Sequence, residues 1–413
     1  MQQANVGVDG KRLWASLMDL AQIGATQKGG VCRLALSDLD GEARRRFVRW
    51  CEEAGCTVAV DAIGNIFARR PGRRTELAPV LFGSHLDSQP TGGKFDGAYG
   101  VMAALEVVRT LNDLDLVTDA PLEIVAWTNE EGSRFQPVMM GSGVYVGAHD
   151  LAATLAARDR VGISVGEALA RIGFAGDAGL FRRSARAYFE PHIEQGPVLE
   201  ETGNVIGVVT GALGLRWFDV EATGQDAHAG ATPRRLRRDA LLAAAETAVE
   251  LDRIAKAHQP NGRATVGALN VWPNSRNVIA GRVLFTVDLR HADKAGLDAI
   301  EASFRTVCES VGTARRVAFN ITEVSAYPVT HFDASAVAAV RAGAAALALP
   351  HMDIVSGAGH DAVNMAGHAP TAMIFVPCAG GISHNELESA EPAHLEAGCN
   401  VLLQAVLATA SRA

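Results

Sequence analysis

The stretch LFGSHLDSQPTGGKFDGAYG, Leu81 to Gly100, sets the fold of this chain. The apolar run Pro79-Val80-Leu81-Phe82 predicts the end of a buried strand. His85, Asp87 and Asp96 follow, set among Gly83, Gly92, Gly93 and Gly97. A strand that stops and presents His and Asp offers metal ligands from a rigid base. His85 can give a neutral imidazole nitrogen, and Asp96 can give one oxygen to each of two cations about 3.5–4 Å apart. Asp87 is placed to accept the other imidazole N–H of His85 and fix its tautomer. The same residues also suit an Asp/Gly-rich turn with a satisfied histidine, so the rest of the chain must decide.

Outward from this stretch, strands and helices alternate. Amphipathic helices are predicted over Asp9–Ile23 and Asp40–Glu53, the second with Ser37 and Asp38 as capping groups. Short strands follow at Cys56–Val60, Asn65–Arg69 and Val80–Ser84. A helix over Gly97–Leu111 is apolar nearly all round, hence buried, and Leu122–Trp127 is another apolar strand. This order argues a parallel or mixed sheet covered by helices. Leu122–Trp127 runs into Thr128-Asn129-Glu130-Glu131-Gly132. A helix near Ser164–Ile172 precedes the strand Ala185–Glu190, which runs into Pro191-His192-Ile193-Glu194-Gln195.

From Gly214 to Ala326 the pattern is strand (Leu215–Ala222), helix (Arg235–Ala257), strands (Ala264–Val271, Arg282–Leu289), helix (Lys294–Val311), strand (Ala318–Ser325). That is the split-βαβ order, and it reads as an inserted module. The expected domains are 1–213 with 327–413, and 214–326. Segments of the earlier type resume at Asp333–Leu347, Ala372–Val376 and Ala393–Thr409. Two loops here carry histidines, Ser356-Gly357-Ala358-Gly359-His360-Asp361-Ala362 and Gly380-Gly381-Ile382-Ser383-His384-Asn385-Glu386.

The chain has 413 residues, 48% hydrophobic and 20% charged, as expected of a soluble globular protein with a large core, and length alone suggests two domains. A net charge of −8 leaves no basic field for nucleic acid. The clusters Arg44–Arg46 and Arg234–Arg238 read as solvated helix faces. No signal peptide is read at Met1–Asn5, and no apolar run approaches the length of a membrane span. The six cysteines, none in C-x-x-C spacing, read as buried thiols of a cytoplasmic protein.

His85, Asp96, Glu131, His192 and His384 all follow predicted strands, and in an open α/β sheet sites gather outside the carboxyl ends of the strands. Five nitrogen and oxygen ligands with one shared carboxylate suit two zinc-like cations. Glu130, beside a ligand but unneeded as one, is placed to be a general base. Alone, each signal is weaker: paired glutamates are common, Asn277 lies in a turn, and Arg290 could form a surface ion pair. His228 and His360 could simply fasten their loops. The remaining histidines carry no pattern.

The motifs GSHLDSQPTGGKFDG, WTNEEGSRF, HIEQGP, GQDAHAGATP, NSRNVIAG, DLRH, GAGHDA and SHNE run in that order from about residue 80 to 390. Through them the sequence resembles the N-carbamoyl-L-amino-acid hydrolase, β-ureidopropionase and allantoate amidohydrolase group of the di-zinc exopeptidase superfamily. The resemblance implies an α/β fold: a mixed-sheet di-metal hydrolase domain with an inserted ferredoxin-like lid and dimerisation domain. It implies His85 and His192 on one metal, Glu131 and His384 on the other, and Asp96 bridging. It implies Glu130 as base, His228 as oxyanion stabiliser, Asn277 and Arg290 on the substrate, and Gln195 near the metals. The expected cofactors are two divalent ions, zinc first, with manganese, cobalt or nickel as alternatives. The expected activity is hydrolysis of a non-peptide C–N bond in N-carbamoyl-L-amino acids or N-carbamoyl-β-alanine. The expected protein is a homodimer that takes a small ureido substrate. Allantoate hydrolysis is the nearest rival, a dipeptidase a weaker one, and a non-catalytic metal-dependent binding protein the rival of another class.

Overall fold

The computed structural model describes residues 6–411. The chain divides into two compact units, one formed by the chain up to Gly211 and again from His331, the other by Ala212–Thr330.

The first unit is built on a mixed sheet. Its strands run in the order Thr57–Val60, Ile66–Arg70, Leu122–Trp127, Val80–His85, Ala187–Ile193, Thr371–Val376, Ile206–Ala212, and the last of these also pairs with Thr330–His331 and His351–Ser356. The four from Leu122–Trp127 to Thr371–Val376 are parallel, and their neighbours on either side are antiparallel. Every residue of these four strands is buried. That is why they read as mostly apolar runs without alternation, since a parallel strand is covered on both faces. The helices Ala98–Asp113, Pro392–Ala410 and Gly10–Leu20 pack on one another against this sheet. Leu105 in the first of them is wholly buried; truncating such a leucine to alanine costs about 2–5 kcal/mol.

Caps explain the helix starts. Asp9 accepts the N–H groups of Lys11 and Arg12, and Ser37 accepts that of Asp40. The second helix corrects one expectation: Arg44 is not on a solvated face. It is fully buried, with Nε on Asp40 Oδ2 at 2.7 Å and further bonds to the Gly64 carbonyl and Thr128 Oγ1. A buried guanidinium is tolerated because its hydrogen bonds are made inside the protein.

The second unit has a four-stranded antiparallel sheet in the order Ala318–Tyr327, Gly214–Thr223, Arg282–His291, Arg263–Trp272. The helices Ala240–Ala257 and Lys294–Arg315 cover one face, with Phe218, Val220, Phe285, Leu297, Ile300 and Phe304 in the core. The first helix starts later than its periodicity suggests. Arg234–Leu236 forms a separate 3₁₀ turn, Arg237 is extended, and Asp239 caps the helix proper by accepting from Leu242 N.

Candidate active site

Four loops meet beyond the carboxyl ends of the parallel strands. His85 is the last residue of its strand and stands beside Trp127 in the ladder. Glu130 and Glu131 follow Trp127. His192 is inside its strand, not beyond it, and pairs with Phe375. Asp96 precedes the helix Ala98–Asp113, and His384 comes from the loop after Thr371–Val376.

Both buried histidines have their tautomer set by a main-chain carbonyl. His85 Nδ1 donates to the carbonyl of Asp87 at 3.0 Å, and His192 Nδ1 to that of Ile193 at 2.9 Å. A carbonyl can only accept, so the proton is on Nδ1 and the Nε2 lone pair faces inward. This corrects the part expected of Asp87. Its carboxylate is 3.8 Å from His85 Nδ1 and instead accepts the N–H groups of Glu130 (3.3 Å) and Glu131 (3.2 Å). Asp87 therefore positions the glutamate pair.

Asp96 turns one oxygen to each side. Oδ1 is 3.6 Å from His85 Nε2 and 3.2 Å from His192 Nε2. Oδ2 is 3.4 Å from His384 Nε2, which is 3.3 Å from Glu131 Oε2. Two ligand sets result, His85–Asp96–His192 and Asp96–Glu131–His384, the candidate atoms of each within 4.8 Å of one another. The first set is buried, whereas the His384 side chain is 52% exposed. Three protein ligands with a side open to water is the donor chemistry of a catalytic zinc-type site, so these residues fit divalent cations. Glu130 belongs to neither set. Its Oε2 stands 3.6 Å from His85 Nε2.

The electrostatics agree. Burial pushes Glu130 well above the usual carboxylate range, and burial together with the Asp96 charge pushes Glu131 up to about 7. Burial would also raise Asp96, but the imidazoles of His192, His384 and His85 gathered around its oxygens hold it well below the usual range. His384 is pushed up to about 9, first by its hydrogen bond to Asp96. A site that draws protons onto imidazole in this way is one in which carboxylates outnumber positive charges, and a cation relieves the same imbalance.

Gly97 is required here. Its φ is +63°, and a Cβ would stand 2.3 Å from His85 Nε2. Its N–H instead points at His192 Nε2, 3.1 Å away.

Gln195 Nε2 reaches Asp96 Oδ2 at 2.9 Å and Ser383 Oγ at 3.1 Å. Its Oε1 is buried and has no hydrogen-bond partner among the described residues. The His360 ring lies 4.5 Å from that of His192, centroid to centroid, and its Nε2 bonds Ser356 Oγ. It thus both fastens its loop and backs a ligand. Three polar residues near the ligands carry no signal in the sequence. Gln89 grips Glu131 twice, through its main-chain N–H to Oε1 (3.1 Å) and Nε2 to Oε2 (2.6 Å). Ser383 and Glu388 lie behind Asp96.

Within the inserted unit, His228 and Asn277 are neighbours. Val278 pairs with His228, and the Asn277 carbonyl accepts the Ala229 N–H. His228 Nδ1 accepts the N–H groups of Gly230 and Ala231, both at 3.0 Å, which leaves the ring proton on Nε2. The histidine therefore fastens its loop and keeps a donor. Arg290 lies within its strand, and its Nε and Nη2 clasp Asp288 at 2.8–3.1 Å.

The chain is similar to known proteins along nearly its whole length. An N-carbamoyl-L-amino-acid amidohydrolase of Rhizobium meliloti is 48% identical over 410 residues, 98% of each chain. An allantoate amidohydrolase of Bacillus subtilis is 33% identical over 93% of each. The crystal structure of an amidase of the hydantoinase/carbamoylase family from Burkholderia multivorans is 54% identical, covers 98% of this chain and 99% of that one, and superposes with a TM-score of 0.96. The profile of peptidase family M20/M25/M40, a family of metal-dependent hydrolases, matches residues 81–408, from the strand of His85 to the last helix. With both ligand sets inside that span, the chain belongs to peptidase family M20/M25/M40.

Proposed function

We propose that this chain hydrolyses N-carbamoyl-L-amino acids or N-carbamoyl-β-alanine to the free amino acid, ammonia and carbon dioxide. The observation that carries the reading is the pair of ligand sets sharing Asp96, with the carboxylate of Glu130 held beside them but outside both. The Rhizobium meliloti relative supports the substrate class. His85, Asp96 and His192 would hold one divalent cation, and Asp96, Glu131 and His384 the other, zinc first and manganese, cobalt or nickel as alternatives. Bound there, the cations supply Lewis-acid polarisation of the ureido carbonyl and acidify water. Glu130 takes a proton from the attacking water and returns it to the leaving nitrogen, and its burial suits that shuttle. The orphaned Oε1 of Gln195 is an acceptor for the carbamoyl amide. His228 donates from Nε2 to the developing oxyanion. Asn277 hydrogen-bonds the substrate, and Arg290 binds its carboxylate.

The rival substrate is allantoate, supported by the Bacillus subtilis relative. A panel decides: ammonia release from N-carbamoyl-L-amino acids, N-carbamoyl-β-alanine and allantoate, with dipeptide cleavage followed alongside. The expected result is the highest kcat/KM on an N-carbamoyl amino acid. Higher values on allantoate or a dipeptide overturn the assignment.

The surface of the inserted unit supports a homodimer. The helix Ala240–Ala257 buries Ala243, Ala244, Thr247 and Leu251 on its own sheet and exposes Leu241, Leu242, Ala245 and Val249. Beside it, Arg263–Trp272 is one of the two edge strands of the sheet and exposes Leu269 and Trp272. An edge strand beside an apolar helix face is a ready pairing surface, and a twofold axis would satisfy both. Light scattering should give the mass of two chains at micromolar concentration, and Leu242→Glu should shift it toward one. A monomeric wild type contradicts this. The six free cysteines suit a reducing compartment and support the cytoplasm as its location. No helix among the described residues is long and apolar enough to cross a membrane.

A further inference from the structure

We propose that Glu388 is the positioning residue that sets Asp96 between the two ligand sets. Glu388 is 4% exposed, and no lysine or arginine is among the groups that set its charge. A buried carboxylate without a cationic partner is costly unless its oxygens are hydrogen-bonded. Here the donors come from the loop of one ligand and the loop of another. Oε1 accepts the main-chain N–H groups of Phe95 (2.9 Å) and of Asp96 itself (3.2 Å). Oε2 lies 3.1 Å from Ser383 Oγ, which is equally 3.1 Å from Asp96 Oδ2. Ser383 is the residue before His384. Glu388 therefore holds Asp96 from behind, through its backbone, and from the side, through a hydroxyl that touches the ligand oxygen.

The close approach is built into the chain. A Cβ on Gly93 would stand 2.0 Å from the Glu388 carboxyl carbon, so only glycine lets the 93–97 loop dock there. The contrast is Gln89, whose two donated hydrogen bonds in this region both go to Glu131. Asp96 is shared by both sets, whereas Glu131 belongs to one. A defect behind Asp96 must weaken both cations, and a defect behind Glu131 only one.

The inference rests on the two-cation reading of the site, and its test separates the two. Full-length protein stripped with chelator is titrated with cobalt(II), followed by the visible absorption of the bound ion and by calorimetry. Wild type should bind two ions. Glu388→Ala should weaken both steps by about 10–100-fold, the usual loss when a group orienting a ligand is removed. Ser383→Ala, which keeps the carboxylate and removes the bridging hydroxyl, should also weaken both, by less. Glu388→Gln, which keeps an acceptor for the two N–H groups, should recover most of the affinity. Gln89→Leu should weaken one step only. Wild type that binds fewer than two ions overturns the two-cation reading. If wild type binds two and Glu388→Ala and Ser383→Ala match it at both steps, the positioning part is wrong. A loss confined to one step overturns it equally. Should Glu388→Ala fail to fold, Ser383→Ala decides by the same criterion.

Discussion

Glu130→Gln is expected to lower kcat by about 10²-fold or more, the usual scale for loss of a general base, while both cations stay bound. The expectation follows from how the Glu130–Glu131 pair is divided. Glu131 Oε2 faces His384 Nε2 and belongs to a ligand set; Glu130 Oε2 stands off at 3.6 Å from His85 Nε2 and belongs to none. Asp87 holds both main-chain N–H groups, so the exchange of one side chain for its isosteric amide leaves the backbone in place. The amide cannot accept a proton from water, and KM should move little. Metal analysis of the purified variant checks the division. If Glu130→Gln loses a cation, Glu130 is a ligand and the pair has been divided wrongly.

The second large effect concerns substrate recognition. Arg290→Ala should cost about 2–5 kcal/mol in kcat/KM on N-carbamoyl amino acids. Chemistry at the ureido carbon needs no guanidinium, whereas a planar fork suits a carboxylate. Arg290 is already clasped by Asp288, which orients it and which a substrate must share it with. Removing the arginine also leaves Asp288 to repel an anionic substrate. Arg290→Lys keeps the charge but loses the fork, so it should fall between wild type and alanine. The deciding comparison uses substrates whose carboxylate is replaced by a neutral amide. Wild type should discriminate strongly against the amide and Arg290→Ala should not. Equal discrimination by both removes Arg290 as the carboxylate clamp.

Much of the scaffold was legible because burial on both faces leaves a plain mark. Leu122–Trp127 was read to the residue, and Val80–His85 and Thr371–Val376 to within one at an end. The antiparallel strand Ile206–Ala212, IGVVTGA, was not read, because its glycines and alanine dilute the apolar signal. The helix Met140–Val146 escaped for a related reason: MGSGVYV has poor helix propensity and is held by burial instead. Arg44 is buried against expectation because a charged residue on an amphipathic helix ordinarily faces water, and its i,i+4 spacing from Asp40 suits an exposed pair equally well. The five ligand-type residues stood out as His, Asp and Glu at strand ends, and the structure brings all five together. Gln89, Ser383 and Glu388 did not, since a residue that holds a ligand in place has no spacing rule. Its partner is fixed only when distant loops meet, as Glu388 meets Phe95 and Asp96. The part of Asp87 was misassigned for the same reason. Its position two residues after His85 suggested the imidazole, but the main-chain carbonyl takes that proton and the carboxylate turns to the glutamates.

Under the proposed function, hydrolysis of an N-carbamoyl amino acid requires two cations held by residues sharing Asp96. The direct measurement is ammonia release from such a substrate by protein stripped with chelator, then given zinc, manganese or cobalt in steps of one equivalent per chain. The stripped protein should show no turnover, and full turnover should return as the second equivalent binds. Full activity in protein shown by elemental analysis to be free of metal would contradict it.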